Sequence, residues 1–192
     1  MTQRLTPADF QRAAAALGVD VATVRAVTEV EARGRGFLAT GEPVILFERH
    51  VFHRLTGGFY SARHPDISNP KRGGYGAESQ QHARLQKAAR LDRESALQSA
   101  SWGLFQIMGF NHAAAGHPTL QGFINAMYRS EGAHLDAFVA FVRSDSAMHR
   151  DLVAHNWAGF ARRYNGPAYA DNHYDTRLAA AYARIKGGAR NA

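Results

Sequence analysis

Thr23-Val24-Arg25-Ala26-Val27-Thr28-Glu29-Val30-Glu31-Ala32-Arg33-Gly34 is the stretch whose periodicity decides how the chain is read. With Val27 as origin and about 100° per residue, Val24 falls near 60°, Val30 near −60° and Glu31 near 40°. The valines share one face of a helix, and Glu31 projects inside that apolar arc. Glu29 falls at roughly 200°, beside Arg25 at about 160° one turn back, an i,i+4 arrangement expected of a solvated face. Asp20 is the natural N-cap and Gly34 or Gly36 the end, which leaves Glu31 in the last turn. There the helix dipole and burial both disfavour the charged carboxylate.

The same grammar extends in both directions. Thr6-Pro7-Ala8-Asp9 opens a helix that Gly18 closes, with Pro at the first helical position and an acid in the first turn. Residues 77–99 have helical composition, and further helices are expected near 120–130, 131–143, 151–163 and 174–185. The second of these carries Leu135, Phe138, Val139 and Val142 at i, i+3, i+4 and i+7. Asn165-Gly166-Pro167 must turn, and a Gly/Arg tail follows the last helix. Val44-Ile45-Leu46-Phe47 is either a buried strand or the opening of a buried helix, which periodicity does not decide. From Gly57 to Gly76 the chain is rich in Gly and Pro, a long wing of the kind that is more often functional than idle. The expectation is a mainly α domain over 1–192, with seven or eight helices, that wing, and a small β element if 44–47 is a strand.

Composition narrows the function. No run approaches the length of a membrane helix, and Met1-Thr2-Gln3-Arg4 does not open a signal peptide. The absence of cysteine excludes disulfides and thiolate nucleophiles. A net charge of +7 and a pI near 10.1 suit an acidic polymer such as nucleic acid, anionic lipid or cell-wall glycan. Lys and Arg are spread along the chain without a nucleic-acid motif, so nucleic acid is not the expected partner. His50 and His53 stand i, i+3 near Glu48, but no His-Glu-x-x-His occurs, so neither a metal nor another cofactor is expected. Gly-x-Ser-x-Gly, Walker and dinucleotide motifs are missing as well.

The remaining candidates are carboxylates and a polar residue in an apolar run. Glu31 has the setting of a general acid with a raised pKa; the plain alternative is a helix-end glutamate that leans outward or pairs with Arg33 or Arg35. Glu48, after Leu46-Phe47, is the candidate second carboxylate that glycoside hydrolysis generally uses, with Asp66 in the wing as competitor. Ser101-Trp102-Gly103-Leu104-Phe105-Gln106-Ile107 is nearly all apolar apart from Gln106. It could be the start of a core helix. Together with Tyr164-Asn165-Gly166 it could instead offer a sugar ring an apolar surface and a few orienting amides.

In this order, Val30-Glu31-Ala32-Arg33-Gly34, Ile45-Leu46-Phe47-Glu48-Arg49-His50, Ser101 through Gly109, and Tyr164-Asn165-Gly166-Pro167 resemble the N-acetylmuramidase domain of phage endolysins of Gram-negative hosts. That family is similar in turn to the lysozyme and soluble lytic transglycosylase superfamily. The resemblance implies a single lysozyme-like domain that cleaves the β-1,4 bond between N-acetylmuramic acid and N-acetylglucosamine in peptidoglycan, without a cofactor. By position, Glu31 matches the catalytic glutamate, with Glu48 as its preferred partner. Ser101, Gly103, Gln106, Ile107, Tyr164 and Asn165 match the substrate-binding segments. Phe105 replaces the usual methionine, and Ala32 stands where the superfamily often has Ser. A lytic transglycosylase, or a wall-binding or virion module without activity, would be the other outcomes. The resemblance further implies a monomer made in the host cytoplasm, without stable membrane insertion, that reaches the periplasmic wall through a holin-type pore. Relatives often add a peptidoglycan-binding domain, for which 192 residues leave no room; the positive charge would then supply wall affinity.

Overall fold

The computed structural model describes residues 4–32 and 34–188. Thr6 and Asp9 form a reciprocal cap at the start of α1 (Pro7–Leu17): Thr6 Oγ1 accepts from the Asp9 amide, and Asp9 accepts from the Thr6 amide at 2.8 Å. Gly18, at φ +68°, ends the helix in the left-handed conformation that glycine adopts without a Cβ penalty. Asp20 then caps α2 (Val21–Glu31) by accepting from the Thr23 amide at 2.8 Å. This helix stops earlier than its glycines suggest. Ala32 is already extended, with ψ 126°, so Glu31 is the last helical residue. Arg33, and with it the possible Glu31–Arg33 pair, lies outside the described residues, as do the 1–3 leader and the 189–192 tail.

The apolar run at 45–47 is a strand, β1 (Ile45–Phe47). It leads directly into α3 (Arg49–Leu55), a helix not anticipated because it is only seven residues long. The wing contains no regular α-helix or strand between α3 and the 3₁₀ turn Glu78–Gln80. It is nonetheless anchored: Ile67 and Ser68 are fully buried, and the Tyr60 hydroxyl donates to the Leu91 carbonyl at 2.9 Å. Residues 77–99, expected as one helical stretch, divide into α4 (Gln81–Ala89) and α5 (Arg93–Gln98). Asp92 makes the division by capping α5, accepting from the Ser95 amide at 2.9 Å.

The segment that could have begun a core helix forms a hairpin instead, β2 (Ala100–Trp102) and β3 (Ile107–Met108). With β1 it makes a three-stranded antiparallel sheet in the order β1-β2-β3, in which Leu46 faces Ser101 and Ser101 faces Met108. Then come α6 (Leu120–Met127), α7 (Glu131–Ser144), α8 (Ser146–Val153), α9 (Trp157–Asn165) and α10 (Tyr174–Gly188). The single helix expected at 151–163 is two, because Asp145 caps α8, His155 takes φ +53°, and Asn156 caps α9.

Ten helices thus replace the seven or eight expected among the described residues. The fold is mainly helical with one small sheet, a lysozyme-like arrangement. Leu135, Phe138 and Val142 of α7 are at most 1% exposed, and that helix packs against α1, α6 and α8. Removing a ring such as Phe138 would cost about 3–5 kcal/mol. No described helix is long and apolar enough to cross a membrane.

Candidate active site

Glu31 ends α2 where α9 and α10 come against it. Asn165, the last residue of α9, donates from Nδ2 to Glu31 Oε1 at 2.9 Å. This links residues 134 positions apart. Burial pushes the carboxyl up from 4.5 to about 7, outweighing the Asn165 bond and the Arg177 charge, which both favour the ionised form. Its place at the helix C-terminus acts in the same direction as burial. Arg35 is engaged by Glu78, so the outward pairing with Arg35 is not made.

Two residues away, Glu29 has the opposite fate. It points to the exposed surface, as its position on the helix predicts, but its partner is Arg184 of α10 and not Arg25. Arg25 lies over the Phe10 ring at 5.1 Å. The two glutamates share a helix and differ in chemistry because only one is withdrawn from water.

Glu31 opens onto a cavity of about 270 Å³ lined also by Phe105, Gln106, Ile107, Met108, Asn111, Phe141, Tyr164, Asn165 and Tyr174. The Tyr164 ring is fixed by Phe160, Phe138 and Phe141 at 5.7, 5.4 and 6.0 Å. Its hydroxyl donates to the Phe105 carbonyl at 2.9 Å, tying α9 to the hairpin turn. Burial, then the nearby Glu31 and Tyr174, raises the Tyr164 pKa well above that of an ordinary phenol, which keeps the donor protonated. Aromatic faces, three side-chain amides and one protonatable carboxyl therefore converge on one concave surface.

The hairpin supplies the opposite wall. Gln106 has φ +51°, a conformation that costs a non-glycine residue free energy and is held by its surroundings. Its side chain provides the hold. Nε2 donates to the carbonyls of Gly103 at 2.8 Å and Val44 at 3.3 Å, while Oε1 accepts from Ser101 Oγ at 2.9 Å. Gln106 lines the cavity with its amide engaged in the hairpin. Ser101 is 5% exposed behind it, and Gly103 turns the chain at φ +70°.

Of the residues singled out from the sequence, Glu31, Gln106, Ile107, Tyr164 and Asn165 meet around the cavity. Ser101 and Gly103 stand behind its wall. Glu48 does not line it. Glu48 sits at the β1–α3 junction, with His50 Nδ1 3.2 Å from Oε2 and the Tyr75 hydroxyl donating to Oε2 at 3.5 Å. Burial lowers the His50 pKa, so this imidazole favours its neutral form beside the carboxylate. Asp66 is half-exposed and ion-paired to Lys87 at 2.8 Å, and it does not line the cavity either. His53 bonds to Ser61 Oγ at 2.7 Å, and no cluster of three or more His, Asp or Glu suited to a metal occurs among the described residues.

Met108, Asn111, Phe141 and Tyr174 line the cavity without having been singled out. Phe141 offered one clue, as an aromatic outside the Leu135-Phe138-Val139-Val142 stripe of its helix. Asn111 lay at the end of the apolar run and offered none.

The chain matches the family model of N-acetylmuramidase over residues 20–186, and it belongs to that family. It is also similar to a solved structure, the crystal structure of the Burkholderia AP3 phage endolysin: identity is 48%, the TM-score is 0.92, and the match covers 97% of this chain and 72% of that one. No curated protein matches the chain.

Proposed function

We propose that the protein is a phage endolysin that hydrolyses the β-1,4 bond between N-acetylmuramic acid and N-acetylglucosamine in peptidoglycan, with Glu31 as general acid. The observation that carries this reading is the Glu31 carboxyl itself, raised to about 7 and oriented by Asn165 at the edge of an aromatic-lined cavity. A carboxyl that keeps its proton near neutrality can deliver it to the leaving glycosidic oxygen as the bond breaks. The membership in the N-acetylmuramidase family and the likeness to a phage endolysin support the substrate and the biological setting. Glu48, beside a neutral imidazole and a tyrosine hydroxyl, is the preferred second carboxylate, activating water or stabilising the oxocarbenium-like transition state.

One observation favours a second reading, lytic transglycosylation. Among the described residues Glu31 is the one carboxylate lining the cavity, and in that reaction a single glutamate serves as acid and then base while the sugar's own 6-hydroxyl replaces water. Mass spectrometry of the fragments released from purified sacculi separates the two. Reducing-end muramic acid supports hydrolysis, and 1,6-anhydro ends support the transglycosylase. Glu31→Gln should release neither; substantial residual release would overturn the assignment of the acid.

A further inference from the structure

His134 lies in α7 outside the cavity, behind the hairpin turn that carries Phe105 and Gln106 and against Gly36, downstream of Glu31. Its ring is 1% exposed. Nδ1 accepts from the Leu104 amide at 3.0 Å, and Nε2 donates to the Met127 carbonyl at 2.7 Å. That pairing fixes a neutral imidazole with its proton on Nε2. Burial acts in the same direction, lowering the pKa against the Met127 bond and the Glu131 charge, which favour protonation.

Two glycines lie directly on this ring. A Cβ at Gly103 would stand 2.9 Å from Nδ1 and Cε1, and one at Gly36 would stand 2.7 Å from Nδ1. Phe37 stacks on the ring at 5.0 Å. Gly36 follows Glu31 by five residues, and Gly103 opens the turn that carries Phe105 and Gln106. Val44 ties the two segments together, its amide donating to the Gly36 carbonyl and its carbonyl accepting from the Gly103 amide, at 2.9 and 2.8 Å.

We infer that His134 is a positioning residue for the muramidase reaction, a neutral wedge whose bond to the Leu104 amide sets the hairpin turn against the segment leaving Glu31. The inference rests on the proposed function. It predicts that Nδ1 matters more to turnover than the bulk of the side chain does. In the full chain, His134→Asn keeps an acceptor at the Nδ1 position while leaving a gap. His134→Gln keeps more volume and a donor near the Nε2 position but loses the acceptor.

The test compares both variants with wild type for muropeptide release from purified sacculi, melting temperature and exchange of the Leu104 amide by NMR. Asn should keep turnover within about threefold and the Leu104 amide protected, although it melts lower. Gln should lose roughly tenfold or more in kcat, with KM changed less than about twofold, the size expected of a misplaced reacting group. The Leu104 amide should then exchange faster. Turnover that follows melting temperature, with Gln at or above Asn, overturns the inference. Should the variants not fold, the wild-type ¹⁵N spectrum decides: a proton on Nε2 alone supports it, and a proton on Nδ1 overturns it. If wild type releases nothing from sacculi, the proposed function falls and this inference with it. If wild type is active and the variants rank in reverse, the inference alone falls.

Discussion

Replacing Glu31 by Gln should make the protein more stable at alkaline pH while removing its activity. Folding raises the carboxyl from 4.5 to about 7, and at about 1.4 kcal/mol per unit this amounts to roughly 3 kcal/mol. The sign follows from the direction. Between these two values the folded state holds a proton that the unfolded state has released. Stability from this group is therefore complete below 4.5 and is lost as pH rises toward 7. Glutamine has no proton to lose, and its carbonyl can still accept from Asn165. Calorimetry of both proteins from about pH 4 to pH 9 should show the variant gaining on wild type across this window. The relative gain should reach roughly 6–12 °C, at about 2–4 °C per kcal/mol for a chain of this size. Any constant offset reflects the amide itself. A difference that stays constant across pH would show that Glu31 titrates as an ordinary glutamate, and the case for a buried acid would be refuted.

Under the proposed mechanism Glu31 acts in its protonated form, so kcat on purified sacculi should fall as pH rises through about 7, and a flat profile from pH 6 to 9 would contradict the assignment. Asn165→Ala removes the donor that favours the ionised form, so the same alkaline limb should move upward; a downward shift would mean that Asn165 acts otherwise. Tyr164→Phe deletes the bond to the Phe105 carbonyl and should cost about 1 kcal/mol in chemical denaturation, with a drop in turnover from the loosened turn; unchanged turnover would remove Tyr164 from the site. Glu29→Gln breaks only an exposed ion pair with Arg184, a change of at most about 1 kcal/mol. Its activity should match wild type, and a loss like that at Glu31 would undo the helical-face argument.

What the sequence made legible was local. Spacing alone separates Glu31 from Glu29, because a helix of fixed period maps sequence position onto direction. The caps at Thr6 and Asp20 are likewise written in short-range residue chemistry. Resolution fails where tertiary contacts choose between local alternatives. The run 100–108 is apolar on both faces, and a strand buried on both sides has no alternation to detect. The break at Asp92 looks like one more polar residue on a helix until its side chain turns to cap the next. The resemblance assigns Glu31 and Asn165 to one site as acid and substrate-facing residue, but their hydrogen bond is not legible in the sequence, since no periodicity connects residues so far apart. Gln106 stands out in the sequence as the lone polar residue of its run, but only the fold shows its amide directed into the hairpin. His134 sits beside a clear apolar stripe, and its two glycine contacts exist only once three distant segments meet.

The burial of Glu31 where α9 and α10 close over α2 also has a consequence in time. During synthesis, α2 leaves the ribosome long before α9 exists, so the nascent chain carries an ordinary, water-exposed carboxylate there. The proton is retained only once the late helices close over the early one. In refolding, recovery of wall-degrading activity should therefore not precede docking of α9, which the indole of Trp157 at its first turn can report. Proton affinity at Glu31 is in this sense a completion signal, acquired when the two ends of the fold have found each other.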